Sequence, residues 1–327
     1  MSQGRSEKRT YRSDLPLAVT CGDPAGVGPE VIIDWAKANR GEKNSYVFLG
    51  PENWMGELRS LGYGGQSLGL SNYRAIPGKP ERCGSLIAID AMMKAAQGCL
   101  DGKYCGVVTG PVSKELLREN GFNHPGQTEF FAEQWSGVPV MGFAGKQLKV
   151  VLATWHVPLH GVFEDLSPVK LIRAVSQADF LARASGANSP RIAVCGLNPH
   201  AGENGLLGQD ELEWIDPLLD DLRNKFPGVS SALPADSLFW GARRGKFDVV
   251  VALYHDQGLI PVKTLEFDEA VNVGLGLPFI RTSPGHGTGF SIAGTGKARC
   301  TSFSRSVEVA WQLFEFLSGS DKVLKST

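Results

Sequence analysis

The chain has 327 residues, 42% of them hydrophobic, enough for one large α/β unit or two domains around a substantial core. Its 33 basic and 34 acidic side chains give a formal net charge of −1, which excludes a general attraction for nucleic acid or anionic membrane. The six cysteines, Cys21, Cys83, Cys99, Cys105, Cys195 and Cys300, include no C-x-x-C pair and read as packed thiols of a cytoplasmic protein.

Strand-like and helix-like segments alternate along the chain, predicting a βαβ architecture with a largely parallel sheet. Residues 1–13 are polar and read as a flexible tail, not a signal peptide, because the apolar stretch that follows is short. Leu15 to Cys21 predicts a strand, Pro29 to Asn39 a helix, Tyr46 to Gly50 a strand and Ser85 to Leu100 a long helix. Gly62 to Cys83, rich in Gly, Ser and Pro, predicts no element. Cys105 to Thr109 reads as a buried strand, Ser113 to Glu119 and Glu129 to Trp135 as helices, Lys149 to Thr154 as extended, and Pro168 to Ala184 as a helix capped by Ser167. Then come a strand at Arg191 to Leu197, a helix at Trp214 to Phe226, a strand at Phe247 to Tyr254 and an amphipathic helix from about Ser304 to Leu317. No apolar run approaches the ~18 residues of a membrane span.

Three of these strand-like runs, Lys149 to Thr154, Arg191 to Leu197 and Phe247 to Tyr254, end close to a histidine: His156, His200 and His255. The carboxyl edge of an open α/β sheet is where ligands bind, and three neutral imidazoles meeting there suit one divalent metal with an open coordination position. Downstream, Lys263, Asn272 and Arg281 stand in or beside apolar runs, where a buried charge needs an anionic partner such as a phosphate or carboxylate substrate. Two glycine-rich stretches frame the chain. Gly22 to Glu30 is either an anion-binding turn before a helix or a tight turn needing positive φ. Ser283 to Gly294 has small side chains that would let a flat cofactor approach the backbone, with His286 able to stack on it or to cap its own loop. Neither a dinucleotide fingerprint G-x-G-x-x-G nor a P-loop occurs.

The segments GDPAGVGPE, TGPVSKE, TEFFAE, NPHAGENG, PADSLF, YHDQGLIPVKT, VNVGLGLPFIRTS and HGTGFSIAG occur in this order. Together they resemble the 4-hydroxythreonine-4-phosphate dehydrogenase family of vitamin B6 biosynthesis, over roughly Leu15 to Leu317. The resemblance implies two α/β/α domains akin to isocitrate and isopropylmalate dehydrogenases, with the active site in the cleft between them. The expected division is 14–128 plus about 296–327 for the first domain and 129–295 for the second, which would carry the metal and substrate residues and the dimer contacts. It further implies metal-dependent, NAD- or NADP-linked oxidation of the secondary alcohol of 4-phosphohydroxy-L-threonine, decarboxylation of the β-keto acid, and a homodimer with shared active sites.

Carried over position by position, the family's metal ligands fall on His156, His200 and His255, for Zn, Mg, Mn or Co. Its substrate contacts fall on Gln127, Thr128, Lys263, Asn272 and Arg281, and its catalytic groups among Lys263, Asp256 and Asp236. Cofactor contacts are expected at His286, Gly287, Thr288 and Ser291. Two departures stand out. Gln127 occupies a position where the family usually has a histidine, and an amide cannot become cationic toward a phosphate. Ser291 stands where related decarboxylating dehydrogenases present Asp to an NAD ribose or a basic residue to NADP. Both departures leave room for a paralogue acting on a phosphorylated tetronate or a cis-dihydrodiol dicarboxylate, and three strand-end histidines alone would also suit a metallohydrolase that needs no nucleotide.

Overall fold

The computed structural model describes residues 14–39, 41 and 43–325; the expected flexible tail lies outside them. The chain begins with β1 (Leu17–Thr20), α1 (Gly28–Ala38), β2 (Tyr46–Pro51), α2 (Glu52–Ser60), β3 (Gly64–Leu68), α3 (Arg82–Leu100), β4 (Gly106–Thr109), α4 (Lys114–Glu119) and α5 (Gln127–Gln134). It continues through β5 (Val140–Ala144), β6 (Lys149–Leu152), α6 (Val162–Asp165), α7 (Pro168–Ala184), β7 (Ile192–Cys195), α8 (Asp216–Leu222), β8 (Val229–Leu233) and α9 (Ala235–Arg243). It ends with β9 (Val249–Ala252), α10 (His255–Glu266), β10 (Val271–Leu275), β11 (Ile280–Pro284) and α11 (Thr301–Lys325).

All the described strands join one sheet in the order β3-β2-β1-β4-β11-β10-β5-β6-β9-β7-β8. Its two wings are parallel, as the alternating pattern predicts. The middle is not: β10 pairs antiparallel with both β11 and β5, and β5 pairs antiparallel with β6. The two wings therefore run in opposite directions and meet along a seam of hairpin-like strands. The expected α/β class is present; where the resemblance implies two α/β/α domains, the described strands form two wings of one continuous mixed sheet.

Why the wing strands read as unbroken apolar runs is visible at β6 and β9. Side chains alternate across a strand, so Val150, Leu152 and Ala252 belong to one core cluster with Leu259 and Val262 of α10. Val151 and Val251 belong to the other core cluster, with Leu171, Ala174 and Val175 of α7. Helices cover both faces there, and each residue has an apolar neighbour to pack on. Gly258 lets α10 come close, since a Cβ there would stand 2.7 Å from Leu152 Cδ2.

The Gly22 to Glu30 stretch resolves toward the tight-turn reading. Gly22 has φ +73° and a Cβ on it would meet the Pro111 carbonyl oxygen at 2.4 Å. The amide of Val27 donates to Thr288 O at 2.8 Å, so this turn is a clamp between the start of the chain and the second glycine-rich loop. Among the described residues no helix is long and apolar enough to cross a membrane.

Candidate active site

Strands β6, β9 and β7 are parallel neighbours, so the segments carrying His156, His255 and His200 leave the sheet at one edge. His156 follows β6 with φ 53°, in the left-handed region that a non-glycine residue enters only under constraint. Its Nδ1 lies 3.4 Å from Glu129 Oε1 and its Nε2 3.4 Å from Lys114 Nζ. His255 opens α10, and its Nδ1 is 2.7 Å from Asp256 Oδ1. The two rings are 6.0 Å apart. In each case a carboxylate faces Nδ1, the arrangement in which a second partner orients a ligating histidine; the Nε2 of His255 is left open to a metal, whereas that of His156 faces the Lys114 ammonium, which a metal would have to displace.

His200 is placed differently. It stands exposed on a turn, Pro199–Gly202, with φ 52°, and Ala201, Glu203 and Asn204 also have positive φ. This strained turn is firmly held. Buried Glu211 accepts from the amides of Leu197 and Asn198 at 2.7 and 2.8 Å, and from Asn198 Nδ2 at 2.8 Å. Gln257 ties the ends of β9 and β7 together, accepting from Leu253 N at 2.7 Å and donating to Gly196 O at 2.7 Å. Within one chain the structure thus brings together two of the three expected imidazoles. Among the described residues no three His, Cys, Asp or Glu side chains form a group ready to hold a metal.

His156 and His255 face a cleft of about 290 Å³ walled by both wings of the sheet and by the seam between them. On α10, His255, Leu259 and Lys263 recur every four residues and so present one helical face to it. At its floor lies Arg281 of β11, 3% exposed. One guanidinium nitrogen donates to Thr128 Oγ1 at 3.2 Å and Asn272 Oδ1 at 2.9 Å; the other donates to Thr109 Oγ1 at 2.9 Å and Gln127 Oε1 at 3.1 Å. Its Nε is buried without a partner. Burial pushes the Arg281 pKa down to about 10, with the Glu129 carboxylate pulling the other way. A cation taken this far from water and hydrogen-bonded only to neutral groups is poised for an anion.

Residues 37–310 match the sequence model of the family described as pyridoxal phosphate biosynthetic protein PdxA. The chain belongs to the PdxA family. A 4-hydroxythreonine-4-phosphate dehydrogenase from Bradyrhizobium diazoefficiens is 38% identical over 330 residues, an alignment covering 90% of this chain and 96% of that protein. The crystal structure of such an enzyme from Klebsiella pneumoniae superimposes with a TM-score of 0.77 at 34% identity, covering 92% of this chain and 99% of that one. A terephthalate 1,2-cis-dihydrodiol dehydrogenase from Burkholderia xenovorans gives a TM-score of 0.66 at 25% identity, covering 93% and 98% of the two chains.

In this PdxA-family cleft the expected substrate residues Gln127, Thr128, Lys263, Asn272 and Arg281 share one lining. Gln127 has both ends of its amide engaged, since Nε2 also donates to Gly110 O at 3.2 Å. The other expected positions diverge. Asp256 is exposed and serves His255 from outside the cleft lining; Asp236 sits exposed on the first turn of α9, accepting from the amide of Ser237 at 3.0 Å. His286 and Gly287 line both the cleft and a second pocket beside it, whereas Thr288 and Ser291 line neither.

Two residues that the sequence reading did not single out belong to the site. Lys114 reaches His156 from the start of α4, and Glu129 accepts from Trp155 Nε1 at 2.8 Å while facing His156. Burial raises the Glu129 pKa, but hydrogen bonds from His156 and Trp155 and the charge of His156 outweigh it, holding the carboxyl at about 2. A usable signal was present: Glu129 and Lys114 are charged residues inside motifs that carry the family resemblance.

Proposed function

We propose that this protein oxidises the secondary alcohol of 4-phosphohydroxy-L-threonine with a nicotinamide dinucleotide as hydride acceptor, and that the β-keto acid formed then loses carbon dioxide. The observation that carries this reading is Arg281, a fully buried cation with neutral partners only, lying on the floor of a cleft that two carboxylate-oriented histidines also face. A relative 38% identical bears the name of this activity.

Arg281 and Asn272 would anchor the substrate's anionic end, and the rigid partners around the guanidinium would fix where the reacting carbon stands. His156 and His255 fit a divalent metal, because a carboxylate faces Nδ1 of each and leaves Nε2 as the ligand, once the Lys114 ammonium moves off that of His156. When bound, such an ion lowers the pKa of the substrate hydroxyl and stabilises negative charge on the neighbouring oxygen. His200 would complete the ligand set from a second copy of the chain, since its rigid turn is exposed. Lys263, on the cleft face of α10, would take the hydroxyl proton at Nζ when in its neutral amine form. His286 and Gly287, common to the cleft and the adjoining pocket, would mark where the nicotinamide meets the substrate. All six cysteines are free, in keeping with a reducing compartment, and we place the enzyme in the cytoplasm.

The test is an absorbance assay for reduced nicotinamide, with 4-phosphohydroxy-L-threonine, phosphorylated tetronates and dihydrodiol dicarboxylates offered in turn, each with NAD or NADP and added Zn, Mg, Mn or Co. Turnover of the phosphorylated threonine above the others is expected. Preference for a dicarboxylate would transfer the same cleft to the paralogous reaction, and hydrolysis without nucleotide would overturn the dehydrogenase reading.

A further inference from the structure

Beside the cleft lies a second pocket of about 280 Å³, and the two share His286 and Gly287. Its walls are apolar, with Val27 and Val31 from the start of α1, Phe267 just past α10, and Ile292. Such walls suit the flat face of an aromatic base. The charges around it are unequal. Lys297, Arg299 and His286 line it, against one carboxylate, Asp268. That carboxylate is already engaged by Arg299, and among the described residues Lys297 has no ion-pair partner.

A pocket that selects an unmodified adenosine ribose needs a free carboxylate, which accepts from the 2′-hydroxyl and repels a 2′-phosphate. Here no lining carboxylate is free, and two long cationic side chains stand at an apolar base-sized pocket instead. Glu30 lies nearby, but its carboxylate accepts from the amide of Gly294 at 3.2 Å and is not part of the lining. We infer that this pocket takes the adenosine end of the dinucleotide and that Lys297 and Arg299 read a 2′-phosphate on its ribose, so that the chain prefers NADP to NAD. The inference rests on the dehydrogenase reading above and deepens it by naming the form of the cofactor.

Binding of adenine nucleotides to the full-length protein, measured by calorimetry without substrate or turnover, tests it. 2′,5′-ADP and 5′-AMP differ only in the 2′-phosphate. The first should bind at least about tenfold more tightly, as one or two charge-assisted hydrogen bonds provide, and the advantage should shrink as salt rises. Lys297→Ala and Arg299→Ala should each remove most of that ratio while 5′-AMP still binds, which also shows that the variants are folded. Asp268→Asn should widen the ratio by freeing Arg299. A ratio near one overturns the inference, as does a ratio that survives both alanine variants. If 5′-ADP gains over 5′-AMP while the 2′-phosphate adds nothing, the cations read the pyrophosphate and the preference is refuted. Failure of every nucleotide to bind would instead remove the dinucleotide reading itself, together with the preference.

Discussion

The two ends of the cleft are built on opposite plans. At the anion end, Arg281 sits in the middle of the sheet with neutral acceptors on both terminal nitrogens, and every partner comes from the same chain. At the histidine end, proposed to bind a metal, the imidazoles lie on turns just beyond the sheet edge, His156 and His200 with left-handed backbone, and one of the three is exposed to solvent. On the function proposed above, the contrast teaches that the anion site is complete in one folded chain, whereas a metal site at the histidines would need a ligand from outside it. Rigid positioning is invested where charge must be held without water, and strain is stored where a ligand can repay it.

Replacing Arg281 attacks the finished end and should have the largest effect. Arg281→Met removes the anion's partner and strands four acceptors; kcat/KM should fall by the equivalent of about 2–5 kcal/mol, roughly 30-fold to several thousand-fold. Arg281→Lys should rescue little, because a point charge cannot donate to four separated oxygens. Steady-state kinetics checks both, and near-normal turnover of the Met variant would erase the distinction between the two ends.

The open end can be broken by mixing. His200→Ala and His255→Ala proteins should each be inactive and bind little metal. Co-expressed, they should regain about one quarter of wild-type activity, since half the dimers are mixed and each mixed dimer holds one intact site. Absence of any recovery would mean that all three histidines act within one chain.

A smaller effect is expected at the support of His156. Glu129→Gln should weaken metal binding about 10- to 100-fold, the usual consequence of losing a histidine's orienting carboxylate, as read by metal titration. The same residue gives a pH signature. Its folded pKa of about 2 lies below the ordinary 4.5, so its stabilisation is full above pH 4.5 and is lost as pH falls toward 2. Denaturation curves of the wild type and the Gln variant should therefore differ most above pH 4.5 and converge below it. The mildest change is Gln257→Leu, which cuts the two hydrogen bonds joining β9 to β7; about 1–3 kcal/mol of local stability should go, seen as faster amide exchange around His200.

Much of this was legible in the chain. Strands buried on both faces, such as Val249–Ala252, have no polar positions and declare themselves. The edge strand Gly64–Leu68, with sequence GGQSL and mostly exposed, has nothing to declare. Helix α10 was hidden by Pro261 within it and Gly258 near its start, so Lys263 read as a residue beside an apolar run and not as one on a helical face. The antiparallel seam escaped because the pairing of β10 with β5 joins segments far apart in the chain, which no local pattern records. Arg281 was recognisable as a cation in an apolar run. Its four neutral partners were not legible as a set, since they come from three separate elements, β4, α5 and β10. The histidines were legible as a repeated context, but their separation into two and one depends on the path each turn takes after its strand.

The order of the sheet also bears on how the protein is made. In the first parallel wing, the neighbour of β4 toward the middle of the sheet is β11, which completes that wing but leaves the ribosome only after the whole second wing has been synthesised. Until then the nascent chain carries an open strand edge along Gly106–Thr109, flanked by apolar surface that α11 later covers. Unpaired edges of this kind are templates for mispairing. The first wing therefore waits unfinished through most of translation, and its safe completion depends on the last quarter of the polypeptide arriving before another strand does.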